Sequence, residues 1–181
     1  MRIAVSGTHG VGKSTLIDEF LRRHPEFAHE PEPYTAMVED FCEEFSAEPS
    51  VEDFCRQLEF NMDRLSQHAP GEDVIYERCP VDFLAYIHAL DGKTAEALLE
   101  PLKEAMQHLD LIVYLPLDES TGDDEFPKLQ RAVDHRLSAI FRDDEFGIIS
   151  STNAIIIEAE GSTDQRLRTL EVSMNIKHTT R

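Results

Sequence analysis

The sequence predicts a three-layer α/β/α sandwich around a five-stranded parallel sheet. Short apolar runs alternate with stretches that carry apolar residues at helical spacing, which is typical of βαβ units. The first apolar run is followed at once by a glycine-rich turn and an amphipathic helical pattern. A chain of 181 residues has room for one such domain with a sizeable core, so we expect a single domain over 1–181.

The strands are predicted from apolar runs bounded by turn residues. Four of the runs are rich in Ile, Val, Leu and Tyr, as expected for strands that helices cover on both faces of a sheet. The run after Pro25 is shorter and more polar, so it is the weakest strand signal. The predicted strands are Arg2–Ser6, Phe27–Glu30, Asp73–Tyr76, Leu111–Leu115 and Ala154–Glu158.

The helices are predicted from apolar spacing and from the residues that begin or end them. The segment Val51–Gln67 has apolar residues every three or four positions and stops before Pro70. Thr94 is placed to cap a helix that runs to His108. Further helices are predicted over Ser14–Arg23, Val81–Leu90 and Lys128–Phe141 and from Thr163 onward.

Charge and composition narrow the classes of partner. The chain has 36 acidic and 17 basic residues and a net charge of −19, which argues against nucleic acid and anionic membranes as partners. Nucleotides remain compatible, because a small anion responds to nearby donors rather than to net charge. The sequence has no apolar run of membrane-spanning length, no signal-peptide pattern and three cysteines without metal-ligand spacing, so we expect a cytoplasmic protein with reduced thiols. The oligomeric state, monomer or homodimer, stays open.

The glycine-rich turn matches the pattern GxxxxGK[ST] without deviation. Such a loop, between a strand and a helix, turns consecutive backbone N–H groups toward phosphate oxygens. Lys13 supplies a positive charge for the β- and γ-phosphates of ATP, and the Ser14 hydroxyl is suited to ligate Mg²⁺. The predicted nucleotide-binding residues are Gly7, Thr8, His9, Gly10, Val11, Gly12, Lys13, Ser14 and Thr15.

Charged residues follow the second and third predicted strands, at the sheet edge where α/β proteins bind ligands. Phosphoryl transfer needs cations around the moving group and an acid near the acceptor hydroxyl. Glu30 is the candidate that orients or deprotonates that hydroxyl, although a solvated acid in a Pro-rich turn is the alternative. Glu77 is the candidate second metal-binding residue, and Arg78 the candidate clamp on the donor phosphates or on an anionic acceptor.

These segments resemble the P-loop deoxynucleoside kinases. Those enzymes have a Glu-Pro motif after the second strand, as at Glu30, and a Glu-Arg-Ser motif after the third, as at Glu77. They also have Gln and Arg seven residues apart on the intervening helix, and Gln57 and Arg64 reproduce that spacing. Cys79 stands where those kinases have serine. The resemblance implies that Gln57 and Arg64 bind the acceptor.

The chain is also similar to the small AAA-type ATPase/kinase group related to nicotinamide riboside kinases. In that group an acid-Arg pair after the third strand is followed by an Asp and a Tyr, and Asp82 and Tyr86 stand in those places. Both resemblances together cover roughly residues 1–116. They imply a kinase-like fold, ATP and Mg²⁺ as donor and cofactor, and a substrate-binding role for Asp82.

A basic helix face is expected between the fourth and fifth strands. On a helical wheel Lys128 and Arg131 lie opposite an apolar stripe that includes Val133 and Leu137. In the resembling kinases a lid helix at this place brings arginines over the ATP phosphates. The resemblance therefore implies a lid over 119–142 with Arg131 as its first catalytic arginine. The alternative is that these charges balance the acidic loop before the helix.

The sequence favours an ATP-dependent small-molecule kinase acting on a nucleoside, a nucleotide or a nucleoside-like hydroxyl acceptor. The alternative is a P-loop ATPase or a nucleotide-binding regulatory protein without a small-molecule acceptor. A GTPase would need an Asn-Lys-x-Asp motif after a strand, and the sequence contains none. Which acceptor is used depends on the shape of a pocket contributed by several helices.

Overall fold

Five parallel strands form one sheet in the order β2-β3-β1-β4-β5. The structure, a computed structural model, describes residues 1–118 and 126–179. The strands are β1 Arg2–Ser6, β2 Ala28–Glu30, β3 Val74–Glu77, β4 Leu111–Tyr114 and β5 Ile155–Glu158. All five predicted strands are therefore confirmed, with bounds that differ by at most one residue at either end.

Helices cover both faces of the sheet. They are α1 Lys13–Arg23, α2 Pro33–Phe41, α3 Val51–Gln67, α4 Pro80–Leu90, α5 Gly92–Ala97, α6 Leu99–Met106, α7 Pro127–Asp143 and α8 Thr163–Thr179, and a 3₁₀ turn spans Glu145–Gly147. The predicted α/β class and parallel sheet are thus what the structure shows. Among the described residues no helix combines the length and the apolar composition needed to cross a membrane.

Two hydrophobic cores sit on opposite faces of the sheet. On one face α1 and α8 pack against strand residues that point toward them, such as Ile3 and Val5, which are fully buried. On the other face α3, α4, α6 and α7 pack against residues of alternate register such as Ala4 and Ile112. The alternation along β1 follows from the two-residue period of a strand and produces the three layers.

Two helix predictions differ from the structure. The helix expected from Thr94 to His108 is wrong, because the chain forms two short helices, α5 and α6, that meet at Leu98. Pro101 has no N–H to continue a hydrogen-bonded ladder from α5, so the second helix starts just before it. Asp91, not Thr94, is the cap: its carboxylate accepts the Lys93 N–H at 3.1 Å. Helix α2 was not predicted.

Candidate active site

The phosphate loop, Gly7–Thr15, joins the end of β1 to the start of α1. Its three glycines, Gly7, Gly10 and Gly12, have φ angles of 147°, 75° and 92°, which side chains other than glycine rarely adopt. At Gly7 a Cβ atom would also lie 2.5 Å from the Leu115 carbonyl oxygen of the neighbouring strand end. The loop can follow this path only because glycine stands at these positions.

Side chains hold four of the loop's carbonyl groups. Each carbonyl that accepts such a bond is fixed in direction, and the N–H groups of the same peptides are fixed with it. The four bonds are Arg78 Nη1 to Gly7 O (3.0 Å), Lys13 Nζ to Thr8 O (2.9 Å), Gln130 Nε2 to His9 O (2.8 Å) and Arg166 Nη1 to Val11 O (2.5 Å). The loop is therefore braced by β3's end, α7 and α8 as well as by its own lysine.

Lys13 lies inside the loop rather than on the surface, with an exposed fraction of 5%. Burial and the neighbouring charge of Arg78 lower the pKa of Lys13 to about 8, although nearby carboxylates counteract this. Because burial disfavours the charged form of Lys13, the negative charge of a bound polyphosphate would stabilise its ammonium strongly. The placement agrees with its predicted contact to donor phosphates.

Ser14 and Glu77 meet at the first turn of α1. The Ser14 hydroxyl donates a hydrogen bond of 2.9 Å to Oε1 of Glu77, and Glu77 is nearly buried at the end of β3. A hydroxyl and a carboxylate are hard oxygen donors, the type that Mg²⁺ prefers. The pair expected from the sequence to face the metal is thus brought together, and its chemistry fits that ion.

Arg78 is buried directly after β3 and forms an ion pair with Glu32. Its Nε donates to Glu32 Oε1 at 2.5 Å, and its Nη2 lies 3.2 Å from Nδ1 of His9. Burial alone would raise the pKa of Glu32, but the charges of Arg78 and Lys13 outweigh it and lower that pKa to about 2. Glu32 is consequently ionised at neutral pH, with two cations beside it. The backbone φ of Arg78 is 77°, a strained value that aims its side chain back at the loop.

Asp82, which the sequence predicts to bind substrate, is engaged with backbone groups in this structure. It is fully buried in the first turn of α4, and its carboxylate accepts the Gly7 N–H at 2.8 Å and the Cys79 N–H at 2.9 Å. Both oxygens accept bonds from backbone N–H groups, and one of these belongs to Gly7, the first residue of the phosphate loop. Asp82 therefore fixes the loop against α4.

Glu30 and Arg64 also lie away from the expected place. The Glu30 carboxylate pairs with Arg64 at 3.0 Å and with Nε2 of His68 at 2.7 Å, and neither Glu30 nor Arg64 lines the cavity at the loop. The chain leaves β2 at Pro31, so Glu30 points toward the end of α3 while Glu32 points toward Arg78. Of the two acids that flank Pro31, Glu32 and not Glu30 therefore lies beside the phosphate loop.

A cavity of about 640 Å³ opens beside the phosphate loop and is walled by residues of α2, α3, α4, α7 and the loop before α3. Glu32 and Arg78 lie at its inner end next to His9. Aromatic rings form much of the wall, among them Phe54 and Tyr86, which stack with centroids 4.6 Å apart. The aromatic lining residues are Tyr34, Phe45, Phe54, Phe83, Tyr86 and Phe126.

Gln57 lines this cavity, as its predicted contact with the acceptor requires. Its side chain is nearly buried on α3, and within the described part of the chain its amide has no hydrogen-bond partner. The loop before α3 is fixed by Asp53, which accepts bonds from the Ser46 N–H and the Ser50 hydroxyl. Ser46, Ser50 and Asp53 also line the cavity, so these hydrogen bonds fix part of its wall.

Arg131 is exposed and does not line the cavity. The neighbouring Gln130 is nearly buried and reaches the loop through the His9 carbonyl, while Arg136 pairs with Glu145 at 2.6 Å. Residues 119–125 of the expected lid lie outside the described residues. In this structure α7 thus contacts the phosphate loop through the Gln130 amide and not through Arg131, the expected lid arginine.

Three site residues were missed by sequence reasoning. Glu32 lies only two residues after Glu30, but Pro33 at the start of α2 is a helix signal that separates the surroundings of the two acids. Gln130 and Arg166 contact loop residues that are 121 and 155 positions away in the sequence, and no local pattern marks such contacts. They can be found only from tertiary structure.

The sequence matches a family model described as AAA domain over residues 2–151. A search of curated proteins finds no match. The further likeness of this chain to known proteins is in the fold.

Several solved structures are similar in fold. The NadR protein in complex with NR has a TM-score of 0.65 and 18% identity, covering 99% of this chain and 52% of its own. The NadR protein in complex with NAD and AMP-PNP has a TM-score of 0.69 and 16% identity, with 99% and 49% covered. Deoxyadenosine kinase from M. mycoides, with the products dCMP and a flexible dCDP bound, has a TM-score of 0.64 and 13% identity, with 97% and 99% covered. This chain spans about half the length of the NadR chains, and at these identities the likeness shows the fold.

Proposed function

Because the chain belongs to the AAA domain family, we propose that it is an ATP-dependent phosphotransferase whose acceptor is the hydroxyl of a nucleoside, a nucleotide or a nucleoside-like molecule. The observation that carries this proposal is the cavity that ends on the Glu32–Arg78 pair beside the phosphate loop. A simple ATPase needs no second, aromatic-lined space at that position.

The phosphate loop is the donor site of this proposal. Its N–H groups and the Lys13 ammonium bind the β- and γ-phosphates, and the start of α1 adds partial positive charge. Ser14 and Glu77 are the residues that would hold Mg²⁺, directly or through water. When bound, that ion neutralises charge on the phosphates; the chain's own part is to place hydroxyl and carboxylate where it binds.

The cavity is the acceptor site of this proposal. A volume of about 640 Å³ is within the range of small-molecule sites. Aromatic walls suit the flat face of a base. The Gln57 amide, which has no hydrogen-bond partner among the described residues, offers both a donor and an acceptor to the edge of such a ring. This chemistry fits a nucleoside better than a sugar or a simple alcohol, which have no flat aromatic face.

Glu32 and Arg78 stand where the two sites meet. Phosphoryl transfer through a loose transition state needs positioning and charge stabilisation more than a strong base. Since its pKa is about 2, Glu32 serves as an ionised acceptor that orients the attacking hydroxyl. Arg78, held by Glu32 and the Gly7 carbonyl, keeps a permanent positive charge beside the moving phosphoryl group. Glu32 takes over the role that the sequence assigned to Glu30.

The ligands of the fold neighbours support this acceptor class. NadR was solved with NR and with NAD and AMP-PNP, and the M. mycoides enzyme is named a deoxyadenosine kinase and was also solved with dATP. Each of these proteins contains the fold of this chain and was solved with a nucleoside or nucleotide bound.

The test is an acceptor screen with the purified protein, ATP and Mg²⁺. Nucleosides, nucleoside monophosphates and nicotinamide riboside are added singly, and ADP release is measured with and without each. We expect at least one acceptor to raise ADP release well above the background and to appear as a phosphorylated product by mass spectrometry. ADP release at one rate regardless of acceptor would instead identify an ATPase, and failure to bind ATP would remove the donor site as well.

A further inference from the structure

Arg166 stands at the phosphate loop on the side away from the acceptor cavity. It belongs to the first turn of α8, and its Nη1 donates to the Val11 carbonyl at 2.5 Å. A Cβ on Gly12, the residue that begins α1, would lie 3.3 Å from the same Nη1. The guanidinium thus lies against the loop where the loop becomes helix.

The charge of Arg166 is not compensated by an acid. Across the described residues no carboxylate forms an ion pair with it, although the chain has 36 acidic residues, and its Nε is buried without a hydrogen-bond partner. The positive end of the α1 dipole lies at the same loop, whereas the other two cations there, Lys13 and Arg78, have carboxylates beside them. The position of Arg166 is unfavourable on its own, because the dipole repels its charge and its buried Nε donor has no partner among the described residues. Binding of a polyanion would reverse the sign of these interactions.

The direction of the bond indicates how Arg166 would act. It holds a carbonyl and not an N–H group, as do Arg78 at Gly7 and Gln130 at His9. A carbonyl bonded to an outside donor points away from the concave side of the loop, which leaves the N–H groups to face inward. Arg78 and Gln130 reach the loop from the acceptor side, and Arg166 reaches it from α8.

We propose that Arg166 is a positioning residue of the phosphate site: it fixes the Val11 peptide and adds uncompensated positive charge behind the loop. It therefore strengthens binding of any di- or triphosphate, whatever base is attached. The proposal rests on the proposed function only in taking a nucleotide as the natural ligand. Because the bond is made to the Val11 peptide and not to the moving phosphoryl group, its loss raises the KM for ATP more than it lowers kcat.

The test compares the wild type with R166A, R166K and R168A. Arg168 is exposed on the same helix and is the matched control. Dissociation constants are measured by calorimetry with Mg²⁺ for ATP, ADP and inorganic tripolyphosphate, and thermal midpoints are recorded for each variant. We expect R166A to weaken binding of all three ligands by a similar factor, about ten- to a hundredfold, the usual worth of a charge-assisted hydrogen bond.

R166K should regain part of the affinity because it restores the charge and one donor, and R168A should match the wild type. Weaker binding of ATP and ADP with unchanged binding of tripolyphosphate would overturn the proposal, since Arg166 would then contact the nucleoside. Unchanged binding of all three would overturn it as well. If the wild type binds tripolyphosphate and nucleotides but transfers no phosphoryl group, the proposed function fails while this inference stands.

Discussion

The donor side of the candidate site comes from one continuous segment, Gly7–Thr15, whereas the acceptor side is walled by side chains from four further stretches, 32–35, 45–57, 78–86 and 126–130. On the donor side the binding groups are backbone N–H groups, and the glycine positions fix their path. On the acceptor side they are side chains whose positions depend on how α2, α3, α4 and α7 pack. The donor site can therefore be predicted from one local segment of the sequence, whereas the acceptor site depends on how the helices pack in the folded protein.

The two Glu-Arg pairs after β2 show the same difference at short range. Glu32 pairs with Arg78 inside the site and lies next to Lys13, while Glu30 pairs with Arg64 at the end of α3. Only one proline separates the acids in sequence. The surroundings of each carboxylate, and not its residue type, decide which of the two can act on a substrate.

The largest effect is expected from Lys13→Ala. Because Lys13 serves every acceptor equally, the variant should lose ATP-dependent turnover to the detection limit and bind ATP weakly. Its thermal midpoint should not fall, since burial already disfavours the charged lysine, as its lowered pKa of about 8 shows. Turnover and calorimetry measure the first effect and thermal unfolding the second. Lys128→Ala, at an exposed position, is the control; turnover that survives in K13A would break the donor assignment.

The next effect compares Glu32→Gln with Glu30→Gln. Loss of the Glu32 carboxylate should lower acceptor-dependent turnover by about two to four orders of magnitude, as for other groups that act on a reacting proton. Background ATP hydrolysis should fall much less. Glu30→Gln should change either rate by less than about twofold, because its carboxylate contacts Arg64 and His68 instead of the cavity.

E32Q also leaves Arg78 without its counter-charge in a buried position, so its thermal midpoint must be measured and the assay run well below it. Steady-state rates with a saturating acceptor, and ADP release without one, separate transfer from hydrolysis. A large loss in E30Q with little in E32Q would reverse the assignment and restore the role that the sequence gave to Glu30.

Much of the fold could be predicted because its signals are local. Four of the five strands are apolar runs between turn residues, and α3 ends before the Pro70-Gly71 turn, as the sequence indicates. Helix α2 was not predicted because Pro31 and Pro33 suggested only a turn, although proline is accepted in the first turn of a helix. The prediction of a single helix from Thr94 was wrong for the opposite reason, because Pro101, in the first turn of α6, was not treated as a helix boundary.

The site could be predicted only where one segment carries it. Lys13 and Ser14 follow from the loop motif, and Glu77 follows from its place at the end of a strand beside that loop. Asp82 was assigned to substrate by resemblance, but the structure uses it on the Gly7 N–H. Arg131 was expected to be the lid arginine over the phosphates, yet it is the uncharged neighbour Gln130 that is buried and contacts the loop. Charge in a sequence does not show which side of a helix meets the ligand.

A smaller effect concerns the contact between α7 and the loop. If Gln130 couples the two, an ATP analogue should slow amide hydrogen exchange in the first turns of α7, and Gln130→Ala should reduce that protection while weakening ATP binding by a few-fold, the worth of one neutral hydrogen bond. Arg131→Ala, one position away and exposed, is the matched control. Exchange is followed by mass spectrometry over 126–142. Loss of protection in R131A alone would show that the arginine moves to the nucleotide, as the sequence suggested.

The smallest effect is a dependence of the free energy of unfolding on pH, and it comes from His68, which lies outside the acceptor cavity. Burial alone would lower the pKa of His68, but its hydrogen bonds to Glu30 and Glu72 outweigh burial and raise it above the ordinary 6.5. A raised folded-state pKa means that this stabilisation is complete below 6.5 and is lost as the pH rises through the higher value. The free energy of unfolding should therefore fall, by under about 1 kcal/mol from this group, as the pH rises from below 6.5 through that higher value. Urea unfolding of His68→Gln should lack that part of the fall, and His29→Gln, at an exposed position, should keep it. An identical pH slope in H68Q and the wild type would mean that Glu30 and His68 do not stabilise each other, and the reason for excluding Glu30 from the reaction would weaken with it.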